Sequence, residues 1–338
     1  MIFRKILNTK IIFFIFRYKF RQLAFNNFSK NKRLGQYYFV NLSGNYLSWI
    51  GLILYKLNFS KNFKFISCDG WPLLSNQKNS INIWFGGTEL KISMRFNHLK
   101  NNYVTASTIF TPTNKLIQLY PCNIVNVEKF KDPKIIIAMS IKSVDDKISI
   151  NVWKQNKSII LKNLSILEDK KFWEIKEIED LNIYEKHKIY MKIKSLLRLE
   201  LLRQIKENFK NKCILIGDDI KKIYPDSINS NFKKNFLKKF YKGNICVDFL
   251  AKDGDQALYP RSIEILENGG ILTQIKTISS SQLFGVYKND LVFNSDKEML
   301  EILSKLLKNR NLIEINKFFQ SKFNNNKYNE NTLKKVFK

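Results

Sequence analysis

The spacing of apolar positions changes repeatedly along the chain, and each change marks an element. Gln36 to Leu42 is rich in β-formers, Ser43-Gly44-Asn45 breaks the run, and Leu47, Ile50, Leu54 and Leu57 then recur at helical spacing. This predicts strand, turn and helix. Phe63 to Ser67 predicts a second strand, followed by the loop signal Cys68-Asp69-Gly70-Trp71-Pro72, and Ser80 to Phe85 a third, closed by Gly86-Gly87. Tyr103 to Ile109, Leu116 to Tyr120 and Ile135 to Ser140 supply further strand candidates. Strands alternating with helical segments predict βαβ units and an open parallel sheet.

Lys142 to Asp180 is charged and weakly periodic, with Trp153 and Trp173 as its large anchors, and predicts a connection containing a strand at Ser158 to Leu161. Tyr190 to Phe209 places Ile193, Leu196, Leu197, Leu201 and Ile205 on one helical face. Cys213-Ile214-Leu215-Ile216 then runs into Gly217-Asp218-Asp219, as buried parallel strands end at a ligand crevice. Asn244 to Leu250, Gly270 to Gln274 and Asp290 to Asn294 predict three more strands, and Asp296 to Leu307 a helix with acidic residues in its first turn. The second half thus reads as a doubly wound α/β domain. The expected division is a basic aromatic segment over 1–30, an α/β domain over 31–165, a connection over 166–189, a second α/β domain over 190–323, and a frayed Asn/Lys-rich tail over 324–338.

Composition narrows the classes. A chain of 338 residues suits about two domains, and 27 Phe with 14 Tyr is not the composition of a disordered chain. The net charge of +29 invites a nucleic-acid reading. Only nine of the basic residues are Arg, however, and Lys runs along the whole chain beside Asn, Ile and Phe, a bias that an AT-rich coding sequence produces. The remaining message of the charge is attraction to an anionic membrane surface or a phosphorylated ligand. The four Cys stand far apart, without a Cys-x-x-Cys pair, so neither zinc nor a disulfide framework is indicated. The N-terminal run Ile11 to Phe16 is far shorter than the roughly 20 residues that span a bilayer. Two placements suit the basic aromatic start: the headgroup layer of an anionic membrane, or a helix packed on its own domain.

Candidate chemistry concentrates in Tyr241 to Lys276, YKGNICVDFLAKDGDQALYPRSIEILENGGILTQIK. A strand ends at Asp248-Phe249, a polar loop through Lys252-Asp253-Gly254-Asp255 leads to Tyr259, and Pro260 opens a helix that stops at Asn268-Gly269-Gly270. The free N–H groups and positive pole of that helix start favour a phosphate or carboxylate. Arg261 adds a planar donor fork, and Glu264 is a fixed acceptor for sugar hydroxyls. The same two residues would also form an ordinary i, i+3 ion pair on a solvated helix. No Gly-x-x-x-x-Gly-Lys-Ser/Thr, Gly-x-Gly-x-x-Gly after a strand, or Gly-x-Ser-x-Gly occurs, which disfavours phosphoryl transfer, dehydrogenase and triad chemistry. His98, among Phe96, Asn97 and Leu99, reads as a structural residue, and His187 reads as exposed.

The pattern Pro-Arg-Ser-x-Glu-x-x-x-x-Gly-Gly at residues 260–270 resembles the donor-binding segment of GT-B-fold glycosyltransferases, above all the bacterial enzymes that build surface polysaccharide or lipopolysaccharide; exostosin-type transferases carry a related segment. The likeness is strong over 240–276 and weaker through the helix from Tyr190 to CILIGDD, and through NLSGNYLSWIG and INIWFGGTELKI. Where many family members carry a second Glu or an Arg/Lys pair ahead of the helix, this chain has Asp248, Asp253 and Asp255. The resemblance implies two Rossmann-like domains facing across a cleft and metal-independent transfer from a nucleotide sugar to a glycan, lipid-linked or other cell-envelope acceptor. It implies no cofactor, and a place in the cytoplasm, peripheral on the inner face of the membrane. It gives Glu264 the ribose or sugar hydroxyls and the amides at Arg261 and Ser262 the diphosphate. Arg261 or Lys252 neutralises the leaving nucleotide, with Asp248, Gly217 and Tyr259 beside the donor and Gly44 and Asn45 on the acceptor side. Transfer with inversion also implies a base for the acceptor, with Asp69, Glu89 and His98 as candidates and Asp69, just past a strand, foremost. The alternative is a basic nucleic-acid- or membrane-surface-binding protein without catalysis.

Overall fold

The computed structural model describes residues 10–16, 33–34, 37–43, 45–57, 62–68, 79–84, 101–104, 109–110, 116–117, 120–140, 144–229, 236–249, 260–277, 279–308, 311–325 and 327–337. Its first sheet contains β1 (Lys10–Phe16), β2 (Arg33–Leu34), β3 (Tyr37–Ser43), β4 (Phe63–Cys68), β5 (Ser80–Trp84) and β6 (Asn102–Val104) in the order β2-β3-β1-β4-β5-β6. Every neighbouring pair is parallel except β2 with β3. Helix α1 (Asn45–Leu57) packs against β1 and β3, where the missing side chain of Gly51 matters: a Cβ there would lie 2.8 Å from Ile15.

The centre of this sheet is part of the stretch expected either in a membrane headgroup layer or as a helix packed on its own domain. β1 pairs with β3 from Lys10↔Tyr37 to Phe16↔Ser43 and with β4 from Ile11↔Phe63 to Phe16↔Cys68, and Ile12 and Ile15 are completely buried. Residues 10–16 therefore belong to the first sheet rather than to a separate start. A parallel strand covered on both faces is an unbroken apolar run, and at six or seven residues that run has no period to separate it from an interfacial segment.

The second sheet contains β7 (Ile135–Ala138), β8 (Cys213–Ile216), β9 (Ile245–Asp248), β10 (Ile271–Ile275) and β11 (Val292–Phe293), all parallel, in the order β11-β10-β9-β7-β8. Both sheets share one wiring. Numbering the parallel strands within each in chain order gives 2-1-3-4-5 twice, so the order reverses between β1 and β4 in one sheet and between β7 and β9 in the other. Ligands of such sheets bind outside the carboxyl ends of the strands at that reversal.

The helices of the second half are α2 (Lys147–Lys162), α3 (Ile183–Asn208), α4 (Lys238–Tyr241), α5 (Pro260–Glu267), α6 (Ser280–Phe284), α7 (Lys288–Leu291), α8 (Asp296–Lys308), α9 (Leu312–Phe323) and α10 (Lys327–Val336). α2, α3 and α8 pack together, with α8 on β9 and β11, whereas α5 packs on β9 and β10 beside α4. Every residue of β7, β9 and β10 is buried, as expected of a sheet covered on both faces.

Several expectations are corrected. Ile135–Ala138, assigned to the 31–165 domain, is an inner strand of the second sheet. Ser158 to Leu161 is not a strand but the end of α2, whose start is capped by the Asp146 carboxylate accepting from the Ser149 N–H at 2.9 Å. Leu116 to Tyr120 is not a strand; it holds one bridge residue and coil among its described positions. His187 is half-buried, stacked on Tyr190 at 6.1 Å and edge-on to Phe110.

The tail is also structured, for a reason its composition hides. The segment from Tyr120 to Val127 lies in neither sheet, so its backbone groups need other partners. Asparagine amides supply them, each offering a donor and an acceptor. The Asn329 Oδ1 accepts from the Tyr120 N–H at 3.0 Å while its Nδ2 donates to the Tyr120 carbonyl at 3.1 Å. Asn324 brackets Ile124 likewise, and Asn316 takes the Val127 N–H and the Val125 carbonyl. α10 also buries Leu333, and the following Phe337 ring lies under Lys64 of β4 at 5.8 Å. Asn329→Leu leaves a buried N–H and carbonyl without partners and is expected to cost about 1–3 kcal/mol, read as a lower urea midpoint with an unchanged slope.

Candidate functional site

The carboxyl ends of β7, β8 and β9 are where chemistry gathers. β7 ends at Ala138, β8 at Ile216 and β9 at Asp248, and the start of α5 is brought to the same edge by two ties. The Ser262 hydroxyl, fully buried, donates to the Asp248 carboxylate, and the Arg261 guanidinium donates to the Ala138 carbonyl. The second tie crosses from the helix after β9 to the end of β7, which is the strand-order reversal itself. A cavity of about 230 Å³ opens there, lined by Ala138, Met139, Ser140, Asp218, Asp219 and Arg261 among others. That is smaller than the roughly 300–1,000 Å³ of sites that engulf a drug-sized ligand.

Gly217 forms part of this edge, and its need for glycine is steric. A Cβ at Gly217 would stand 2.2 Å from the Met139 carbonyl oxygen, so no side chain fits between the ends of β7 and β8. The two glycines after α5 have a different task. Gly269 takes φ +77°, and the N–H groups of Gly269 and Gly270 donate to the carbonyls of Leu266 and Ile265, a Schellman stop. A Cβ on Gly270 would press to 2.9 Å on Cys246 Sγ. The Gly-Gly of the motif therefore closes the helix and lets β10 approach β9.

Glu264, one turn into α5, is half-buried, and burial raises its carboxyl pKa above the ordinary 4.5, while the charges of Arg261 and Lys238 oppose the shift. The folded chain thus holds this proton more tightly than the unfolded chain. Its stabilising contribution is present in full below pH 4.5 and is lost as pH rises through the folded-state value. Glu264→Gln, which never ionises, is expected to gain stability on the wild type progressively as pH rises from 4.5 toward neutrality, checked by urea unfolding across that range.

Some sequence-predicted residues meet here and others do not. Arg261, Ser262, Glu264, Asp248 and Gly217 come together at one edge of the second sheet. Asn45 is the first residue of α1, at the carboxyl end of β3. Asp69, Lys252, Tyr259, Gly44, Glu89 and His98 lie outside the described residues, as do Asp253 and Asp255. The last two have the Asp-x-Asp spacing of carboxylates that can share a divalent ion, so the expectation of metal independence rests on the resemblance alone. Among the described residues no group of three His, Cys, Asp or Glu is placed to hold a metal.

The structure also adds residues that the sequence reading passed over. Asp218, which is exposed, and Asp219 line the cavity, and the Ser140 hydroxyl donates to Asp219 at 2.9 Å. Tyr241 is buried beside α5 with its hydroxyl unpaired among the described residues; burial pushes its ionisation far up, the charge of Arg261 opposing the shift and that of Glu264 adding to it. Gln274, the β10 neighbour of Asp248, has a buried Oε1 that is unpaired among the described residues. A Gly-Asp-Asp after an apolar strand was the available signal for the aspartates. Nothing in sequence marks Tyr241, whose place depends on α4 packing against α5. Glu267, the second glutamate of the motif, turns away and accepts the Cys122 N–H at 3.0 Å, joining α5 to the extended segment.

The chain matches no family model, no curated protein and no solved structure.

Proposed function

We propose that this chain is a glycosyltransferase that moves a sugar from a nucleotide-sugar donor to a glycan, lipid-linked or other cell-envelope acceptor. The observation that carries the reading is the position of Arg261: a guanidinium at the start of a helix, tied to the end of β7 at the strand-order reversal, on the wall of a cavity. A departing diphosphate gains negative charge as the sugar–phosphate bond breaks, and a fixed cation beside free helix N–H groups stabilises that charge without rearrangement. In this reading Arg261 and the first amides of α5 hold the diphosphate, with Lys252 and Tyr259 beside it. Glu264 takes the hydroxyls of the ribose or donor sugar, and Gly217, Asp218 and Asp219 border the donor. The acceptor enters from the first sheet, facing the second across a cleft, where Gly44 and Asn45 follow β3 and Asp69 removes the acceptor proton.

The test is a thermal-shift series of the full chain with UDP, GDP, CMP and dTDP, each with and without Mg²⁺ because of Asp253 and Asp255. A ligand at about a hundred times its Kd stabilises by about 2.7 kcal/mol, a rise of several degrees. If no nucleotide raises the melting temperature and duplex DNA does, the transferase reading fails.

A further inference from the structure

α1 carries apolar side chains on its solvent side as well as on its buried side. Ser48, Gly51 and Tyr55 are buried, and Tyr55 sets its ring edge-on to Phe65 at 5.4 Å within a cluster that holds Ile15 and Leu42. At 100° per residue, Tyr46, Ile50, Ile53 and Leu57 fall on one arc of the opposite side. Tyr46 is 88% exposed, Leu57 62%, Ile53 55% and Ile50 48%. Single exposed apolar side chains are common, but four on one arc of one helix form a contact surface. Thirteen residues are too few to cross a bilayer, and no described helix is long and apolar enough to do so.

Charge selects the occupant. Residues 1–68 contain no Asp or Glu and twelve Lys or Arg, so a large share of the +29 falls in the fifth of the chain that builds β1, β3, α1 and β4. A second copy of the chain docked face to face would bring two such regions together and repel. A nucleic acid offers no counterpart for Ile50, Ile53 and Leu57. An anionic bilayer offers both: acyl chains for the aliphatic arc, a headgroup level for Tyr46, and negative charge for Lys56 of α1 and for the basic excess of residues 1–68.

We infer that α1 docks this protein on an anionic membrane surface, lying in the headgroup layer with Tyr46, Ile50, Ile53 and Leu57 toward the acyl chains. The surface is on the first sheet and the candidate nucleotide site on the second, so either reading can fail without the other.

The experiment is co-sedimentation of the full chain with phosphatidylcholine vesicles, with and without phosphatidylglycerol. The wild type is expected to sediment with the mixed vesicles and to be released as salt screens the charge. Ile50→Ser with Ile53→Ser removes apolar surface at constant charge and is expected to weaken partitioning about tenfold per residue, from the burial still available to a half-exposed side chain. Ile159→Ser, at an exposed apolar position on α2, is expected to bind as the wild type does. Both Ile50 and Ile53 face solvent, so melting temperatures should hold; if the pair of changes unfolds the chain, Tyr46→Ser with Leu57→Ser serves instead. The inference is overturned if the wild type ignores phosphatidylglycerol vesicles or if the folded double variant binds them as tightly. It is equally overturned if sedimentation velocity shows the double variant dissociating a wild-type dimer while vesicle binding is unchanged.

Discussion

Arg261→Ala is expected to weaken nucleoside-diphosphate binding about a hundredfold, the loss of a charge-assisted pair of hydrogen bonds worth about 3 kcal/mol. The same guanidinium secures the Ala138 carbonyl, so the variant will also be less stable. Melting temperature alone would confuse the two effects. Isothermal titration at a temperature where the variant is folded separates them, and Arg261→Lys sharpens the answer. Lysine keeps the charge but loses the planar fork, so it should recover part of the affinity and little of the tie to β7. Glu264→Ala should remove transfer while leaving the affinity for inorganic diphosphate near that of the wild type, because Glu264 serves hydroxyls rather than phosphates. Equal nucleotide affinity in Arg261→Ala and wild type would remove the donor site from the start of α5.

Ile15→Asp is expected to unfold the first sheet. Ile15 is completely buried on the central strand, paired on both sides through Leu42 and Ser67. An unpaired carboxylate there costs upward of about 4 kcal/mol, most of the about 5–15 kcal/mol that keeps a domain folded. Truncation of residues 1–25 removes β1 entirely and should have the same result. The readout is rapid tryptic cleavage within residues 37–84 of the variant at a temperature where the wild type resists. Wild-type protease resistance in the truncated chain would show that β3 and β4 do not depend on β1.

How much of this was legible depended on the distance over which each signal acts. The helix start at Pro260 and its stop at Gly269-Gly270 were legible because a missing N–H and a positive φ act within a few residues. The same holds for α1, β4, β5, β8, β9 and α8, where period and turn residues coincide. The role of residues 10–16 was hidden because a short apolar run is identical whether lipid, a helix or two parallel strands cover it. The tail was hidden because Asn-rich sequence reads as solvated, whereas Asn316, Asn324 and Asn329 find their partners some 190 to 210 residues away. In the candidate site, the basic residue and the glutamate of the motif were visible. Asp218 and Asp219 were visible as the end of a strand but not as neighbours of Arg261, and Tyr241 was not visible at all, since no local pattern says which strand ends and helices will be neighbours.

By itself the sequence determined an α/β protein with parallel strands in both halves, the strands β8 to β11 with α3 and α8, and the short helix on which Arg261 and Glu264 stand. Those properties follow from interactions between residues close in the chain. Only the tertiary structure decided that the N-terminal run is the central strand, that the strand order reverses between β7 and β9, and that Arg261 reaches the end of β7. It also decided that α1 keeps one apolar arc in solvent. Each of these depends on which surfaces are covered, and coverage is set by packing between segments far apart in sequence.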